Sequence, residues 1–151
     1  MYTKILVTRI PSKPQAEIMT TKLSYLYGIG RRKTTSARVR LYKGKSENLI
    51  NGLPATQVFP GPILSSRITT PLEVTKTLGK YYFTARILGG GKTGWLGALT
   101  LGLSRALIIE NPEFKPILRQ HGFITRDPRE RQRRMVGTGG KARRKKQSPK
   151  R

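Results

Sequence analysis

Two glycine-rich segments carry the residues whose types and spacing could bind phosphate. Gly89-Gly90-Gly91-Lys92-Thr93 ends like the phosphate loop of nucleotide-hydrolysing enzymes, which requires glycine, four further residues and then Gly-Lys-Ser/Thr. The required first glycine is Arg86 here, so the loop is incomplete. Two interpretations stay open: a strand-to-helix turn that binds an RNA phosphate, or three glycines that form a tight junction.

The second segment is Gly28-Ile29-Gly30, followed by Arg31, Arg32 and Lys33. A dinucleotide fingerprint would need a third glycine where Lys33 stands. Three cations on a glycine-flexed turn suit contacts with the backbone of a phosphate chain. A solvated turn is the alternative interpretation.

Side chains suited to acid–base, nucleophilic or metal chemistry are scarce. Seven carboxylates are scattered along the chain, and His121 is the single histidine of a sequence without cysteine. Thiolate and histidine-based metal sites and a histidine-paired nucleophile are therefore excluded. Asp127 and Glu130 form an i, i+3 pair among arginines, and neutralising those arginines is the favoured role over acid–base work. We predict no enzyme activity, no cofactor and no metal.

Charge is the dominant property of the composition. Among 151 residues, Lys and Arg number 31 and Asp and Glu number 7, a net charge of +24. Such an excess repels itself in a compact chain and calls for an anionic partner: nucleic acid, an acidic membrane surface or an acidic protein. No apolar run approaches the ~18–20 residues that span a bilayer, so a membrane span is not expected.

The charge distribution divides the chain into an arm at 1–22, a globular α+β domain at 23–123 and an extended basic tail at 124–151. The tail has twelve Lys or Arg against two acids, and the rest of the chain is basic too, at +14. With few apolar side chains, the tail on its own is expected to be disordered. Fully extended, its 28 residues would reach roughly 90–100 Å.

Hydrophobic periodicity places these segments on a small sheet with helices on one face. Ala37, Val39 and Leu41 alternate with polar residues, which predicts a half-buried strand over Thr34–Tyr42 with one basic face. Trp95 is expected to pack at a helix start rather than to stack on RNA. The other predicted elements are strands at 23–27, 49–50 and 81–88, a break at 28–30, short helical pieces within 54–66, and helices at 71–78, 95–110 and about 112–122.

Three motifs resemble the small-subunit ribosomal protein 9 family when they are taken together. The first runs Gly28-Ile29-Gly30-Arg31-Arg32-Lys33 and continues with Ser36-Ala37-Arg38-Val39. The second has Gly89-Gly90-Gly91, Gly94, Gly102 and Arg105-Ala106-Leu107. The third includes Gly122-Phe123, Thr125-Arg126-Asp127, Ala142-Arg143-Arg144, Gln147 and the final Lys150-Arg151. The resemblance covers about residues 25–151, with the three motifs in the family's order.

The resemblance implies a fold like the second domain of ribosomal protein five, a β-α-β-α unit with a left-handed crossover. It also implies a position in the head of the small subunit on ribosomal RNA, beside neighbouring ribosomal proteins. The implied tail threads through RNA, and its tip, Lys150 and Arg151, reaches the anticodon stem of peptidyl-site transfer RNA. The cations expected on ribosomal RNA are Arg31, Arg32, Lys33, Arg38, Arg40, Lys92, Arg126, Arg129, Arg131, Arg133, Arg134, Lys141, Arg143 and Arg144.

Two other functions fit parts of the pattern. A DNA-compacting protein would need the charge but not these glycine motifs, and a nucleotide-using enzyme would need the missing loop glycine. Sedimentation with the small ribosomal subunit that survives DNase and is lost with RNase would distinguish the ribosomal function from these two alternatives. The expected location is a cytoplasmic ribosome of bacterial type, with a mitochondrial or plastid ribosome as the alternative.

Overall fold

The computed structural model describes residues 24–134 and Val136. The predicted arm at 1–22 and most of the tail, including Lys141, Arg143, Arg144, Lys150 and Arg151, lie outside the described residues. The elements are β1 (Leu26–Arg32), β2 (Thr35–Lys43), β3 (Leu49–Ile50), β4 (Leu53–Pro54), α1 (Ala55–Val58), α2 (Pro62–Val74), β5 (Tyr81–Leu88), α3 (Lys92–Glu110) and α4 (Phe114–Gln120).

The five strands form one mixed sheet in the order β1-β2-β5-β3-β4. The pairs β1–β2, β2–β5 and β3–β4 are antiparallel, and β3 runs parallel to β5. The chain joins β3 to β5 through β4, α1 and α2, so the β-α-β crossover is present. The left-handed sense that the resemblance implies for it stays a prediction.

Alternation along β2 builds the core, and the α+β prediction is confirmed. Ala37, Val39 and Leu41 are buried, whereas Arg38 and Arg40 between them are exposed. The buried set meets α2, α3 and α4 on one face of the sheet. The largest fully buried apolar side chains of the described core are Phe59, Phe83, Leu41, Ile50, Leu72, Ile87, Leu99, Leu103, Leu107 and Leu118. No helix formed by the described residues packs on the opposite face of the sheet.

The predicted break at Gly28–Gly30 is wrong, because β1 runs through both glycines. Their missing side chains leave room for α3. A Cβ on Gly28 would collide with the carbonyl oxygen of Gly102, and one on Gly30 would lie 2.6 Å from the nitrogen of Gly102. A Cβ on Gly102 would in turn lie 2.8 Å from Val39 Cγ2. Strand and helix backbones are thus in direct contact, so these glycines serve packing rather than a turn.

Asparagine side chains extend the short β3 along β5. Leu49–Ile50 is the predicted strand, and the Asn51-Gly52 turn ends it as expected. Asn51 Nδ2 donates to the carbonyl oxygen of Ile87 at 3.1 Å, and Asn51 Oδ1 accepts from the Ile87 N–H at 2.7 Å. Asn48 Oδ1 accepts from the Phe83 N–H at 3.1 Å. At the opposite edge of the sheet, in β1, the carbonyl oxygen of Ile29 accepts from Arg105 Nη1 at 2.7 Å.

The proline-rich region forms a longer helix than the sequence predicted. Pro62 is the first residue of the 13-residue α2, where its missing N–H costs nothing. Pro71 lies inside α2 rather than opening a new helix, and α2 ends three residues later at Val74. The short helix α1 agrees with the prediction of short helical pieces within 54–66. The rest of that prediction, and the separate helix predicted over 71–78, are wrong because α2 runs continuously from Pro62 to Val74.

The glycine run before α3 is a tight junction. Gly89 and Gly90 have φ of +72° and +67°, and a Cβ on Gly90 would collide with Thr35 Oγ1. Trp95 packs against the core, and its Nε1 donates to the carbonyl oxygen of Gly89 at 2.7 Å. Packing therefore accounts for Trp95 as predicted, although α3 begins three residues before it. The helix expected from about 112 to 122 is α4, which begins at Phe114 and ends at Gln120.

We predict that Gly30→Ser destabilises the protein and that Gly91→Ser does not. The added side chain at Gly30 forces β1 and α3 apart, and overpacking of this kind costs about 1–3 kcal/mol. Gly91 has no neighbouring atom within 4 Å of an added Cβ, and serine is a good residue at that N-cap position. Urea unfolding of the two full-length variants measures the difference. Equal midpoints would contradict the contact between the two backbones.

Candidate nucleic-acid interface

The face of the sheet on which no described helix packs, here called the open face, is lined by arginines and tyrosines. Alternation in β1, β2 and β5 directs one set of side chains to the helices and the other to this face. The open-face set from β1 and β2 includes Tyr27, Ile29 and Arg31, then Arg38, Arg40 and Tyr42; β5 adds Tyr82, Thr84, Arg86 and Leu88.

Two arginines face each other in the centre of the open face. Arg38 and Arg86 are direct partners in the β2–β5 register, and both are exposed. Like charges directly opposite each other destabilise a sheet. Arg38 and Arg86 lie in a shallow groove of about 1000 Å³ that runs from Tyr25 and Tyr27 across to the Asn51–Gly52 turn. The groove therefore concentrates positive charge that pairs with no carboxylate among the described residues.

Tyrosine rings form a continuous row at one end of the same face. Tyr42 and Tyr82 are stacked with ring centroids 5.1 Å apart and planes inclined by 13°. Tyr25 lies 5.8 Å from Tyr42 at an angle of 52°. The guanidinium of Arg40 lies 5.0 Å from the centre of the Tyr25 ring, a cation–π arrangement.

Carboxylates pair with cations elsewhere. On the helix side of the sheet, Glu110 of α3 accepts from Lys43 Nζ at 2.7 Å and from the Tyr81 hydroxyl at 3.1 Å. The hydrogen bond to Lys43 lowers the pKa of Glu110 and raises the pKa of Lys43. Burial, followed by the hydrogen bond to Glu110, raises the pKa of Tyr81. None of the ion pairs within residues 24–134 involves an arginine of the open face.

Asp127 holds the root of the tail, residues 124–129, against the globular domain, here also called the body. Arg32 Nη1 lies 2.6 Å from Asp127 Oδ1 and donates to the Asp127 backbone carbonyl at 3.1 Å. Arg129 Nη2 lies 2.6 Å from Asp127 Oδ2, and the Arg129 N–H donates to Oδ1. The hydrogen bonds from Arg129, and then that from Arg32, hold the pKa of Asp127 well below its usual range. Phe123 and Ile124 pack against the core just before it.

The predicted binding residues fall into separate groups in the structure. Arg31 is on the open face with Arg38 and Arg40, whereas Arg32 faces the helices and is held by Asp127. Lys33 is in the β1–β2 turn with φ of +50°, and Lys92 begins α3. The described tail cations are all exposed and lie outside helices and strands: Arg126, Arg129, Arg131, Arg133 and Arg134.

The two tail carboxylates have the role that the sequence favoured. Asp127 pairs with Arg32 and Arg129, and Glu130 lies 3.8 Å from Arg126. Within the described ranges, no three or more His, Cys, Asp or Glu residues come together as a metal site. In that same part of the chain, the helices are too short or too polar to cross a membrane.

Sequence reasoning missed Arg86 and the tyrosine row. Tyr82, Thr84 and Arg86 alternate with buried residues along β5, which is a signal that the sequence contained. What the sequence did not supply is that β5 pairs with β2, which places Arg86 beside Arg38 and Tyr82 beside Tyr42. The contact between Arg32 and Asp127 was missed for the same reason, because 95 residues separate them in the sequence.

Comparison with known proteins identifies the family. The sequence profile described as ribosomal protein S9/S16 matches residues 30–151. The chain belongs to this family. Small ribosomal subunit protein uS9 of Solidesulfovibrio magneticus is 42% identical over 116 residues, covering 77% of this chain and 89% of that protein. The protein of the same name from Mycoplasmoides gallisepticum is 44% identical over 113 residues, 75% of this chain and 87% of its own length.

Membership in the S9/S16 family settles the class of function. The chain is a structural, non-enzymatic constituent of the small ribosomal subunit and takes part in translation. Its partners are those of such a constituent, ribosomal RNA and other ribosomal proteins. Its location is the ribosome, and the relatives reported above are bacterial. The nucleotide-using enzyme considered from Gly89–Thr93 is thereby excluded.

We predict that Asp127→Ala loosens the root of the tail in a pH-dependent way. Because the folded-state pKa of Asp127 is lowered, its stabilising contribution is present above the ordinary value of 3.8 and is lost as pH falls below it. Amide exchange over residues 124–129 should be faster in the variant at neutral pH. The difference between the two proteins should shrink as pH is lowered below 3.8, because protonation of Asp127 removes the charge that holds Arg32 and Arg129.

Glu130→Ala is the matched control for this prediction. Its ion pair with Arg126 is long and exposed, so the exchange rates should stay close to wild type at every pH. A difference between Asp127→Ala and wild type that did not change with pH would contradict the role of the carboxylate charge.

Proposed function

We propose that this family member binds ribosomal RNA in the head of the small subunit through its open face and the root of its tail. We further propose that the tail extends to the anticodon stem of peptidyl-site transfer RNA. The observation that carries the first proposal is the segregation of charge: Arg31, Arg38, Arg40 and Arg86 share one face without a carboxylate among the described residues.

Phosphate is the chemistry that this face fits. Arginine presents a planar set of donors that matches phosphate oxygens in pairs, and it is always charged. The destabilising Arg38–Arg86 juxtaposition becomes favourable when an anion lies between the two guanidinium groups. A polyanion along the groove would supply such charges at every nucleotide.

The tail supports the second proposal through its charge and through the place where it leaves the globular domain. Residues 124–151 carry twelve Lys or Arg, and the Arg32–Asp127 contact fixes where this segment leaves the body. The cations at Lys141, Arg143 and Arg144 would follow ribosomal RNA, and Lys150 and Arg151 would reach transfer RNA. These five residues lie outside the described part of the chain, so their roles rest on the family resemblance and on charge.

We assign the chain to the cytoplasmic ribosome of a bacterium on the basis of its relatives.

We predict that replacing Arg38, Arg40 and Arg86 together by glutamine weakens RNA binding and its dependence on salt. Each lost phosphate contact should lower the slope of log K against log salt by about 0.7–0.9. Filter binding of the full-length variant to small-subunit ribosomal RNA at several salt concentrations measures the slope. The variant should stay close to wild type in urea, because removal of the Arg38–Arg86 like-charge pair offsets the lost contact between Arg40 and Tyr25.

The control changes the same number of charges on the helical layer. Arg67 of α2 and Lys115 and Arg119 of α4 are exposed, and their elements pack on the other side of the sheet. Their glutamine variant should keep most of the wild-type affinity. Equal losses in the two triple variants would show that net charge alone drives binding, and would refute the open face as the site.

Deletion of Lys150 and Arg151 should weaken transfer RNA at the peptidyl site and leave subunit assembly intact. Charge-assisted contacts of this kind contribute on the order of 1–3 kcal/mol, so the expected loss is at most about tenfold to a hundredfold. Arg151→Ala alone should have a smaller effect. Filter binding of transfer RNA to reconstituted small subunits gives the comparison. Unchanged affinity and dissociation rate would remove the functional role of the tip, and failed assembly would place it on ribosomal RNA.

A further inference from the structure

The tyrosine row on the open face is more exposed than a core requires. Tyr25 and Tyr27 are 45% and 41% exposed, although Tyr27 lies within β1 and Tyr25 directly precedes it. Tyr42 and Tyr82 are half-buried and stacked on one another. The rings of Tyr25 and Tyr27 therefore offer flat apolar surface to solvent in the same groove that Arg38, Arg40 and Arg86 line.

Aromatic rings and arginines in this arrangement match the two parts of an unpaired nucleotide. Bases that are free of a partner stack on tyrosine rings and on guanidinium planes, whereas the bases of a duplex are hidden inside the helix. The guanidinium carbon of Arg40 already lies over the Tyr25 ring, so a cation and a ring are together at the place where a base could join them. Arg38 and Arg86 in the same groove are positioned for the linking phosphates.

We propose that the open face binds unpaired nucleotides of RNA, with bases stacked on Tyr25, Tyr27 and the Tyr42–Tyr82 pair. The inference rests on the proposed RNA-binding function and specifies its ligand: single-stranded RNA such as a loop, bulge or junction, rather than the side of a duplex. Arginine side chains hold the phosphates and account for affinity. The tyrosines account for the preference between unpaired and paired RNA.

Sheet stabilisation is the competing role for these rings, because Tyr42 and Tyr82 are direct cross-strand partners. Tyr25 and Tyr27 separate the two roles. Both are near the outer edge of the sheet and highly exposed, so replacing them by leucine removes the ring with little effect on the core. Replacement by phenylalanine keeps the ring and removes only the hydroxyl.

The experiment compares two RNA probes of equal phosphate number, an unstructured single strand and a duplex, with full-length protein. Tyr25→Leu combined with Tyr27→Leu should weaken binding of the single strand by about five- to fiftyfold, given the usual strength of base–aromatic stacking. Binding of the duplex should change by less than about twofold. The corresponding double phenylalanine variant should bind both probes like wild type, which a hydroxyl-dependent role would not produce. A purely structural role of the rings would make the leucine variant lose both probes alike.

The outcomes separate this inference from the function on which it rests. If the leucine variant binds both probes like wild type while the Arg38, Arg40, Arg86 variant loses both, the face binds phosphates only and the stacking inference is refuted. If the arginine variant also binds like wild type, the proposed RNA site itself fails. In reconstituted subunits, the leucine variant should expose unpaired ribosomal nucleotides to chemical probes. Loss of a neighbouring protein, without such exposure, would assign the face to a protein partner and overturn the inference.

Discussion

Direct contact between the backbones of β1 and α3 organises this molecule. Gly28 and Gly30 in the strand and Gly102 in the helix lack the side chains that would hold the two elements apart. The long, apolar α3 consequently lies close along β1 and β2 and covers one face of the sheet. The remaining helices complete that layer, and no helix of the described residues covers the other face.

Once one face is covered, the period of two along each strand sorts the side chains by chemistry. In β2, Arg38 and Arg40 alternate with the buried Val39 and are exposed. In β5, Thr84 and Arg86 alternate with the buried Ala85 and lie on the same face as those arginines. Glu110 and Asp127 pair with cations outside the open face, one on the helix side and one at the root of the tail. The basic charge of the body is thereby concentrated where it has no carboxylate within the described residues, which is the electrostatic basis of the proposed RNA contacts.

Local pattern was sufficient for much of the fold. The alternation in β2, the Asn51-Gly52 turn and the apolar face of α3 each depend on neighbours in sequence, and all three predictions are confirmed. Gly28 and Gly30 were misassigned because a glycine pair has the same local signature whether it bends a chain or admits a helix. Pro71 was misassigned because a proline in the last turn of a helix resembles one in the first. The site required strand pairing: Arg86 and Tyr82 join Arg38 and Tyr42 through a register that no local pattern contains.

The hydrogen bonds that complete the sheet at its edges have a consequence for the chain before it meets its RNA. Unpaired strand edges can add a strand from a second molecule, which is a common route to aggregation. Here Asn48 and Asn51 occupy peptide groups of β5 beyond the short β3, Arg105 occupies the Ile29 carbonyl of β1, and Pro54 lies in the two-residue outer strand β4. Edge-to-edge association of two copies would have to displace these side chains first. At these positions the sheet edges are less open to a strand from a second copy, while the charged face stays available for assembly.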